Sequence, residues 1–362
     1  MKIAFNFPLR QRKLLDVLEA KSLDALIVRK KENISYLTGA RGEESLLIVS
    51  HFGSSIITDA RYTEEYSKAA RNTSVVATGI KNPSQRVDGI LKKNRAERVG
   101  FESDNLTYSE FTALKKSTGN IRLVPVKGIV ESLRKVKDSY EIECIRNACR
   151  YGCCAMNYGL RNLSRFSTET FVKQKIEAYL LKKGIEPAGF EIIVASGVNS
   201  SMPHAVATDK KIKKGKIVVI DLGARDCGYN SDLTRTVFLG RIKRKYSRVY
   251  NVVFDAQKKA IDSIKPGVKA SFIDAISRTY IKDKGFGRHF VHSLGHGIGL
   301  EIHEEPLLSG KSSAVLEQGM TVTVEPGIYI PRWGGIRIED VVLVTKNGCE
   351  VLTGGCGKIL CR

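Results

Sequence analysis

Acidic residues are scarce in this sequence of 362 residues, where 38 Asp and Glu stand against 59 Lys and Arg, for a formal net charge of +21 at pH 7. Long apolar runs are missing as well: no stretch approaches the roughly 18 uncharged apolar residues that a membrane span needs. We therefore expect no membrane partner. Residues 1–8 become polar too soon to be a signal peptide, which predicts a cytoplasmic protein.

The sequence also lacks the cysteine patterns of a disulfide framework or a zinc finger. Its eight cysteines include no C-x-x-C pair and no Cys/His group at zinc-finger spacing. Without a secretion signal, free thiols are the expected state. A catalytic cysteine is not expected, because no histidine is placed to pair with one.

The basic excess by itself would suit a nucleic acid or another anionic partner. However, the basic clusters at residues 210–216 and 241–245 border expected turns and strand edges, where lysine commonly blocks strand pairing. No helix-turn-helix, zinc finger or aromatic-bearing RNA-binding sheet is recognisable. Nucleic acid is therefore not expected to be the primary partner.

The length and the 42% hydrophobic content favour two folded domains. Residues 1–130 alternate helical periodicity, as at 11–20, with short apolar runs, as at 23–28, which predicts an α/β domain with a mixed sheet. Residues 131–165 are expected to form one long helical stretch after the domain boundary. The second domain, 131–362, carries apolar strands separated by helices and glycine-rich turns.

Carboxylates break the basic background at the ends of apolar strands. Asp221 ends the run IVVID, and Asp232 follows eleven residues later. That spacing suits a strand, a tight turn at 226–228 and a partner strand. Asp221 and Asp232 could then face each other across a hairpin, close enough to share a cation.

A second group of polar residues follows downstream. Four of the six histidines lie within fifteen positions, beside several glycines: His289, His292, His296 and His303. Glu325 then follows an apolar strand, and Glu339 comes fourteen residues later. Each carboxylate alone could be a surface ion pair, but several buried together would repel strongly without cations. Oxygen ligands with one imidazole suit Mn, Co, Fe or Zn, and bridging carboxylates suit two metals.

Five sequence blocks, in order and spacing, resemble the pita-bread metallopeptidases, the family of methionine aminopeptidase, aminopeptidase P and prolidase, and most closely its proline-specific branch. The blocks are residues 190–197 with 203–205, 221–224 with 228–235, 292–299 with 303–304, 319–320 with 325–329, and 335–340. The resemblance covers about 131–353. Residues 10–130 more weakly resemble the creatinase-type N-terminal domain.

This resemblance implies an α+β architecture, with a pita-bread catalytic domain (131–362) preceded by a creatinase-like α/β N-terminal domain (1–130) with a mixed sheet. It also implies a homodimer that uses two divalent metal ions, Mn²⁺ or Co²⁺ first and Zn²⁺ or Fe²⁺ as alternatives. By the same resemblance, Asp221 and Asp232 bind one metal, Asp232 and Glu339 bridge to the second, and His296 and Glu325 complete it. Water held between the metals would become the hydroxide that attacks the scissile carbonyl.

The family also implies roles around the metals. Glu325 would accept and pass on the proton of the attacking water. His204 and His303 would contact the substrate and stabilise the oxyanion, while His292 would line the pocket. Arg337 would fix a ligand carboxylate, with an ordinary structural ion pair as the alternative. Tyr229 and Tyr329 either hydrogen-bond in the site or simply pack.

The expected reaction is hydrolysis of an N-terminal Xaa-Pro bond in proline-containing peptides by an aminopeptidase, with an Xaa-Pro dipeptidase (prolidase) as the alternative. Prolidases often carry an arginine shortly after the histidine that matches His303, and residues 306–309 contain none. Lys311 lacks the planar fork of arginine as a substitute. Methionine aminopeptidase is disfavoured by the upstream domain. An inactive relative that binds peptide or nucleic acid is disfavoured by the complete ligand set.

Overall fold

The computed structural model describes residues 5–78 and 84–358. The chain divides into two compact units, Met1–Arg134 and Lys135–Arg362. No helix among the described residues combines the length and the hydropathy needed to cross a bilayer.

The first unit alternates strands and helices, as its sequence pattern predicts. Its elements are α1 (Phe7–Ala20), β1 (Ala25–Val28), α2 (Lys31–Thr38), β2 (Ser45–Ser50), β3 (Gly53–Asp59), α3 (Ala60–Ala69), β4 (Ser74–Thr78), α4 (Ser84–Lys93), β5 (Arg98–Glu102), α5 (Tyr108–Thr118), β6 (Arg122–Val126) and α6 (Ile129–Arg134).

These six strands form one mixed sheet in the order β4-β3-β2-β1-β5-β6. Strand β2 runs antiparallel to both of its neighbours, whereas the other pairs are parallel. Ile27, Ile48 and Ile57 are fully buried in the core beneath this sheet. Their alternation with residues of the opposite face fits the two-residue period of a strand.

The second unit contains the remaining helices and strands. Its elements are α7 (Ser139–Arg161), α8 (Glu169–Lys182), β7 (Glu186–Pro187), β8 (Ile193–Ser196), β9 (Ile217–Leu222), β10 (Ala224–Asp226), β11 (Tyr229–Asn230), β12 (Leu233–Phe238), α9 (Arg244–Asp262), α10 (Ala270–Asp283), β13 (Gly295–Gly297), β14 (Glu304–Leu308), β15 (Thr321–Val324), β16 (Gly327–Ile330), β17 (Gly334–Arg337), β18 (Asp340–Val344) and β19 (Cys349–Val351).

The strands of this unit form four antiparallel groups, which are covered by two helix pairs. The groups run β11-β10-β7, β12-β9-β8, β14-β13-β15-β18-β19 and β16-β17. Helix α7 packs against α8 and strands β9–β12, while α9 packs against α10 and strands β15–β17. The candidate metal ligands discussed below lie on or beside these strands.

Strand β9 explains why the sequence around Asp221 is continuously apolar. Val218 and Ile220 face the core beneath α7 and α8, whereas Ile217 and Val219 face the core beneath α9 and α10. Both faces of the strand are therefore buried, and a strand buried on both faces needs apolar residues at every position. Asp221 shares the face of Val219 by the two-residue period of a strand.

The prediction of one long helix over residues 131–165 is wrong, because α6 ends at Arg134 and α7 begins at Ser139. Val136 forms an isolated β-bridge near the start of β15, which requires extended backbone at that point. Asp138 then caps α7 by accepting hydrogen bonds from two backbone N–H groups, and Glu141 reaches back to the N–H of Asp138. This capping box starts a new helix rather than continuing the old one.

Candidate metal centre

The five candidate metal ligands lie on or beside five different strands of the second unit. Asp221 is in β9, Asp232 directly precedes β12, and His296 is the middle residue of β13. Glu325 directly follows β15, and Glu339 lies between β17 and β18. All are buried except Glu325, which is half-buried. The fold therefore collects four carboxylates and one imidazole from distant parts of the sequence.

These side chains converge on one point. One ligand atom from each of Asp232, His296 and Glu339 lies within 4.8 Å of the other two. His296 Nε2 is 3.4 Å from a carboxylate oxygen of Glu325 and 4.0 Å from one of Asp232. Asp221 joins the same group electrostatically: burial raises its pKa, Arg337 opposes that rise, and the charge of Glu325 adds to it.

The carboxylates carry buried oxygens that the protein does not satisfy. Oδ1 of Asp221 and Oδ1 of Asp232 are buried and accept no hydrogen bond from any residue that the structure describes. Burial and then the charge of Glu339 raise the pKa of Asp232 well above its usual range; burial and then Glu325 do the same to the pKa of Glu339. Unsatisfied buried carboxylates that repel one another fit a site for cations.

His296 is oriented with one ring nitrogen free for a ligand role. Its Nδ1 lies 3.0 Å from the carbonyl oxygen of Gly297, which can only accept, so Nδ1 carries the hydrogen. Its backbone N–H donates to Thr323 Oγ1 at 3.0 Å. Burial opposes a charged ring, yet hydrogen bonding to Glu325 holds the pKa of His296 above its usual value. Nε2 therefore faces the carboxylates, as a metal-binding imidazole does.

Arg337 supports the cluster from β17. Its guanidinium donates to Asp221 Oδ2 at 2.5 Å, to Thr234 Oγ1 at 3.0 Å and to the Tyr329 hydroxyl at 2.9 Å. The side chain is almost fully buried. One planar cation thus fixes a carboxylate oxygen of Asp221, and it leaves the other oxygen of that carboxylate toward the cluster.

Thr234 is a supporting residue that sequence reasoning missed. Its hydroxyl donates to Glu339 Oε2 at 2.7 Å and accepts from Arg337, so it joins the two sides of the cluster. Its neighbour Arg235 forms a buried ion pair with Asp340 at 2.8 Å, directly after Glu339 in the chain. The position of Thr234, two residues after Asp232, is the only signal that the sequence offered.

The hairpin expected between Asp221 and Asp232 forms, but with a different register. Strands β9 and β12 pair antiparallel, and the residue opposite Asp221 is Thr234. Asp232 lies just outside the paired segment, because the short strands β10 and β11 form a further hairpin between the two aspartates. The aspartates therefore meet at the end of the ladder rather than across it.

A cavity of about 440 Å³ opens beside the cluster. Its lining residues are Pro203, His204, His292, Ser293, His296, His303, Glu304, Glu305, Leu307, Glu325 and Arg337. The His303 ring lies edge-on to that of His296, with centroids 4.4 Å apart. Burial lowers the pKa of both His303 and His292, which favours neutral rings at neutral pH. All the histidines expected in the site, His204 included, therefore line one cavity.

The two tyrosines that the sequence left open have different surroundings. Tyr329 accepts from Arg337 and lies 3.1 Å from His292 Nε2, while His292 Nδ1 lies 2.7 Å from the carbonyl oxygen of Ser293. Arginine, tyrosine and histidine thus form one hydrogen-bonded chain along the cavity wall. The Tyr229 hydroxyl instead donates to Glu141 Oε1 at 2.8 Å, in contact with α7.

Comparison with known proteins assigns this chain to a protein family. The model of Metallopeptidase family M24 matches residues 143–346, and that of the Creatinase/Prolidase N-terminal domain matches residues 10–136. Both the expected family resemblance and the expected fold class, a pita-bread domain preceded by a creatinase-type domain with a mixed sheet, are confirmed. The family implies divalent metal ions, which the cluster fits.

Individual relatives are similar to this protein over nearly its whole length. The sequence is 37% identical to an Xaa-Pro dipeptidase of Pyrococcus horikoshii over 94% of this chain and 96% of the relative. An Xaa-Pro dipeptidase from Bacillus anthracis superposes with a TM-score of 0.94 at 37% identity, covering 99% of this chain and 100% of that one. An X-Pro aminopeptidase from Thermotoga maritima gives 0.89 at 31% identity, covering 98% and 100%. The chain therefore belongs to metallopeptidase family M24, in its proline-specific branch.

Proposed function

We propose that this protein is an Xaa-Pro aminopeptidase, which hydrolyses the bond between an N-terminal residue and a following proline in peptides of three or more residues. The observation that carries the proposal is the buried cluster of Asp232, His296 and Glu339 beside a cavity lined by three further histidines. A catalytically inactive binding protein would have no need to keep such mutually repelling carboxylates buried.

Asp221, Asp232, His296, Glu325 and Glu339 would hold the two divalent cations. The bound cations would supply Lewis acidity and lower the pKa of water, which makes it a nucleophile at neutral pH. Arg337 keeps one oxygen of Asp221 occupied, so that the other stays directed to the cluster. Thr234 likewise donates to one oxygen of Glu339 and leaves the other for the cluster.

The remaining chemistry is assigned to side chains of the cavity. Glu325 lies at the cavity wall and would accept the proton of the attacking water and pass it on. His204 and His303, which both line the cavity, would donate to the carbonyl oxygen as it gains charge. His292, held by Tyr329, would form the wall against which the substrate packs.

A proline after the scissile bond explains the need for metals. The Xaa-Pro amide has no N–H, so a peptidase that binds its substrate through that donor recognises it poorly. Direct activation of the carbonyl and of water requires no such donor. His204 and His303 line the cavity and are both exposed, which suits the end of a peptide chain.

Leu307 favours an aminopeptidase over a dipeptidase. It lies in β14, lines the cavity, and is 42% exposed. A strict dipeptidase has to bind the free carboxylate that directly follows the scissile proline, for which an arginine fork is best suited. An apolar side chain at this point of the wall would instead accept a continuing peptide.

The Xaa-Pro dipeptidase is the second candidate, favoured by the names of the Pyrococcus and Bacillus relatives. Both candidates are tested by supplying the purified protein with MnCl₂ or CoCl₂ and measuring the N-terminal residue released from Ala-Pro-Ala, Ala-Pro and Met-Ala. We expect the tripeptide to be cleaved with the highest kcat/KM and Met-Ala not at all. Preference for Ala-Pro would replace the aminopeptidase by the dipeptidase.

A variant that tests the assigned site is Glu325→Gln, which keeps the size of the side chain and removes both a proposed metal-binding carboxylate and the group that would take up the proton. This variant is expected to lose cleavage of every substrate. Absence of turnover in the wild-type protein with metal bound would contradict both candidates.

A further inference from the structure

A second group of side chains of the types that ligate metals lies where α7 meets the turn after β10, and none of them lines the cavity of the proposed active site. Cys144 on α7, Asp226 at the end of β10 and Cys227 in the turn each offer a ligand atom, and these three atoms lie within 4.8 Å of one another. Cys144 is almost fully buried, whereas Cys227 is exposed. Two thiols and one carboxylate thus converge at a point open to solvent on one side.

The turn holds Cys227 in a conformation that cysteine does not prefer. Asp226 pairs with Tyr229, which leaves a two-residue connection of Cys227 and Gly228. Both have positive φ, 48° and 85°. Turns of this kind favour asparagine followed by glycine, because asparagine tolerates the left-handed region best among residues with a side chain. A cysteine in the asparagine position places a thiol where the turn meets α7.

The turn is fastened to the helix on both sides of this group. The Tyr229 hydroxyl donates to Glu141 Oε1 at 2.8 Å, one helical turn before Cys144. Ser231 Oγ donates to the carbonyl oxygen of Ala148 at 2.9 Å, one turn after it. The relative positions of the two thiols are therefore set by the surrounding contacts, as a preorganised ligand site requires.

The surrounding groups disfavour negative charge unless a cation compensates it. Burial, and then the neighbouring Cys227 and Asp226, raise the pKa of the Cys144 thiol far above its usual value. Burial and the same two thiols raise the pKa of Tyr140. Thiols, phenol and carboxylate are all acids, so ionising one raises the cost of ionising the next. A divalent cation reverses that effect and displaces the thiol protons to solvent.

We propose that Cys144, Asp226 and Cys227 form a second metal site, for a thiophilic divalent cation such as Zn²⁺ or Cd²⁺. Thiolate ligands select such cations over Mn²⁺, which prefers oxygen. Three protein ligands leave a fourth position for water on the exposed side. The cation would fasten the turn between Asp221 and Asp232 to α7, and it would be distinct from the cations of the proposed active site.

The test titrates Cd²⁺ into the full-length protein after its active site has been loaded with Mn²⁺, and follows the near-ultraviolet thiolate-to-cadmium absorption. The wild-type protein is expected to bind one equivalent with this absorption. Cys227→Ser should lose it, whereas the matched control Cys154→Ser, an exposed cysteine of the same helix, should keep it. Cys361 lies outside the described residues and is present in all variants.

Asp226→Asn keeps both thiols and tests the carboxylate separately. It is expected to weaken Cd²⁺ binding at least about 10-fold, because even the loss of a contact behind a ligand has that effect and Asp226 is itself a proposed ligand. An absorption that is unchanged in Cys227→Ser would overturn the proposal, because other thiols would then be its source. Counting free thiols before and after chemical reduction tests for a disulfide between the two cysteines. Two additional free thiols after reduction of the wild-type protein, but not of Cys227→Ser, would show a disulfide and would also overturn the proposal.

Discussion

Replacing Glu339 by glutamine is expected to stabilise the metal-free protein. The Glu339 side chain is 2% exposed, and burial, Glu325 and Asp221 raise its pKa well above the usual value. Because the pKa is higher in the folded state than in the unfolded state, ionisation destabilises the fold as the pH rises through that interval. Glutamine removes the charge and keeps an oxygen to accept the Thr234 hydroxyl.

The expected gain is about 1–2 kcal/mol, the size of the cost of a buried polar group left uncompensated. In a domain of this size that corresponds to a rise in Tm of about 2–8 °C in EDTA. When metal is present, the wild-type protein is instead expected to have a higher Tm than the variant. The wild-type protein is expected to gain about 2.7 kcal/mol when Mn²⁺ is present at 100 times its Kd, whereas the variant lacks one proposed ligand and is expected to gain little.

Glu169→Gln is the matched control. Glu169 is fully buried in the same unit, and its carboxylate accepts hydrogen bonds from Ser196, Asn199 and Thr208. Its neutralisation therefore loses charge-assisted hydrogen bonds and should lower the Tm with and without metal. Differential scanning fluorimetry at neutral pH measures all three proteins. A lower Tm for Glu339→Gln than for wild type in EDTA, or an equal rise of both with Mn²⁺, would refute the reasoning.

Three further predictions follow from the site. Leu307→Arg is expected to raise kcat/KM for Ala-Pro about 10-fold relative to that for Ala-Pro-Ala, because the arginine would add one charge-assisted hydrogen bond to the free carboxylate of the dipeptide. If the ratio of the two kcat/KM values is unchanged, Leu307 does not face the substrate. Arg337→Lys should weaken Mn²⁺ binding about 10- to 100-fold in equilibrium dialysis, because lysine cannot hold Asp221 with a planar fork; an unchanged Kd would reduce Arg337 to a structural ion pair. The raised pKa values of Asp232 and Glu339 predict that Mn²⁺ binding releases protons and becomes stronger as the pH rises. Calorimetry in two buffers of different ionisation enthalpy measures the number of protons released. A value of zero would contradict this prediction.

The strands that carry the proposed metal ligands were predictable from the sequence because burial dictates their composition. Strand β9 is apolar at each position before Asp221, since both of its faces are buried. Such a run followed by a carboxylate is recognisable without a structure. The mixed sheet of the first unit was predictable for a related reason, the alternation of short apolar runs with helical periodicity.

Features that depend on tertiary contacts were not predictable in the same way. The break between α6 and α7 coincides with the β-bridge of Val136 to Met320, which is distant in sequence, and with the capping box of Asp138 and Glu141. The register that places Thr234 opposite Asp221 depends on the extra hairpin of β10 and β11. The meeting of Cys144 with Cys227 depends on packing between a helix and a turn far apart in sequence. The homodimer, the identity of the metals and the roles of the site residues stay predictions.

The central claim is that the buried carboxylate cluster is a two-metal centre which hydrolyses Xaa-Pro bonds. Its most direct test follows bound metal and Ala-Pro-Ala hydrolysis in the same EDTA-treated sample as MnCl₂ is added, for the wild-type protein and for Asp232→Asn. The wild-type protein should bind two Mn²⁺ per chain and gain activity as they bind, and the variant should do neither. Full hydrolysis without metal, or two bound Mn²⁺ and full activity in Asp232→Asn, would contradict the claim.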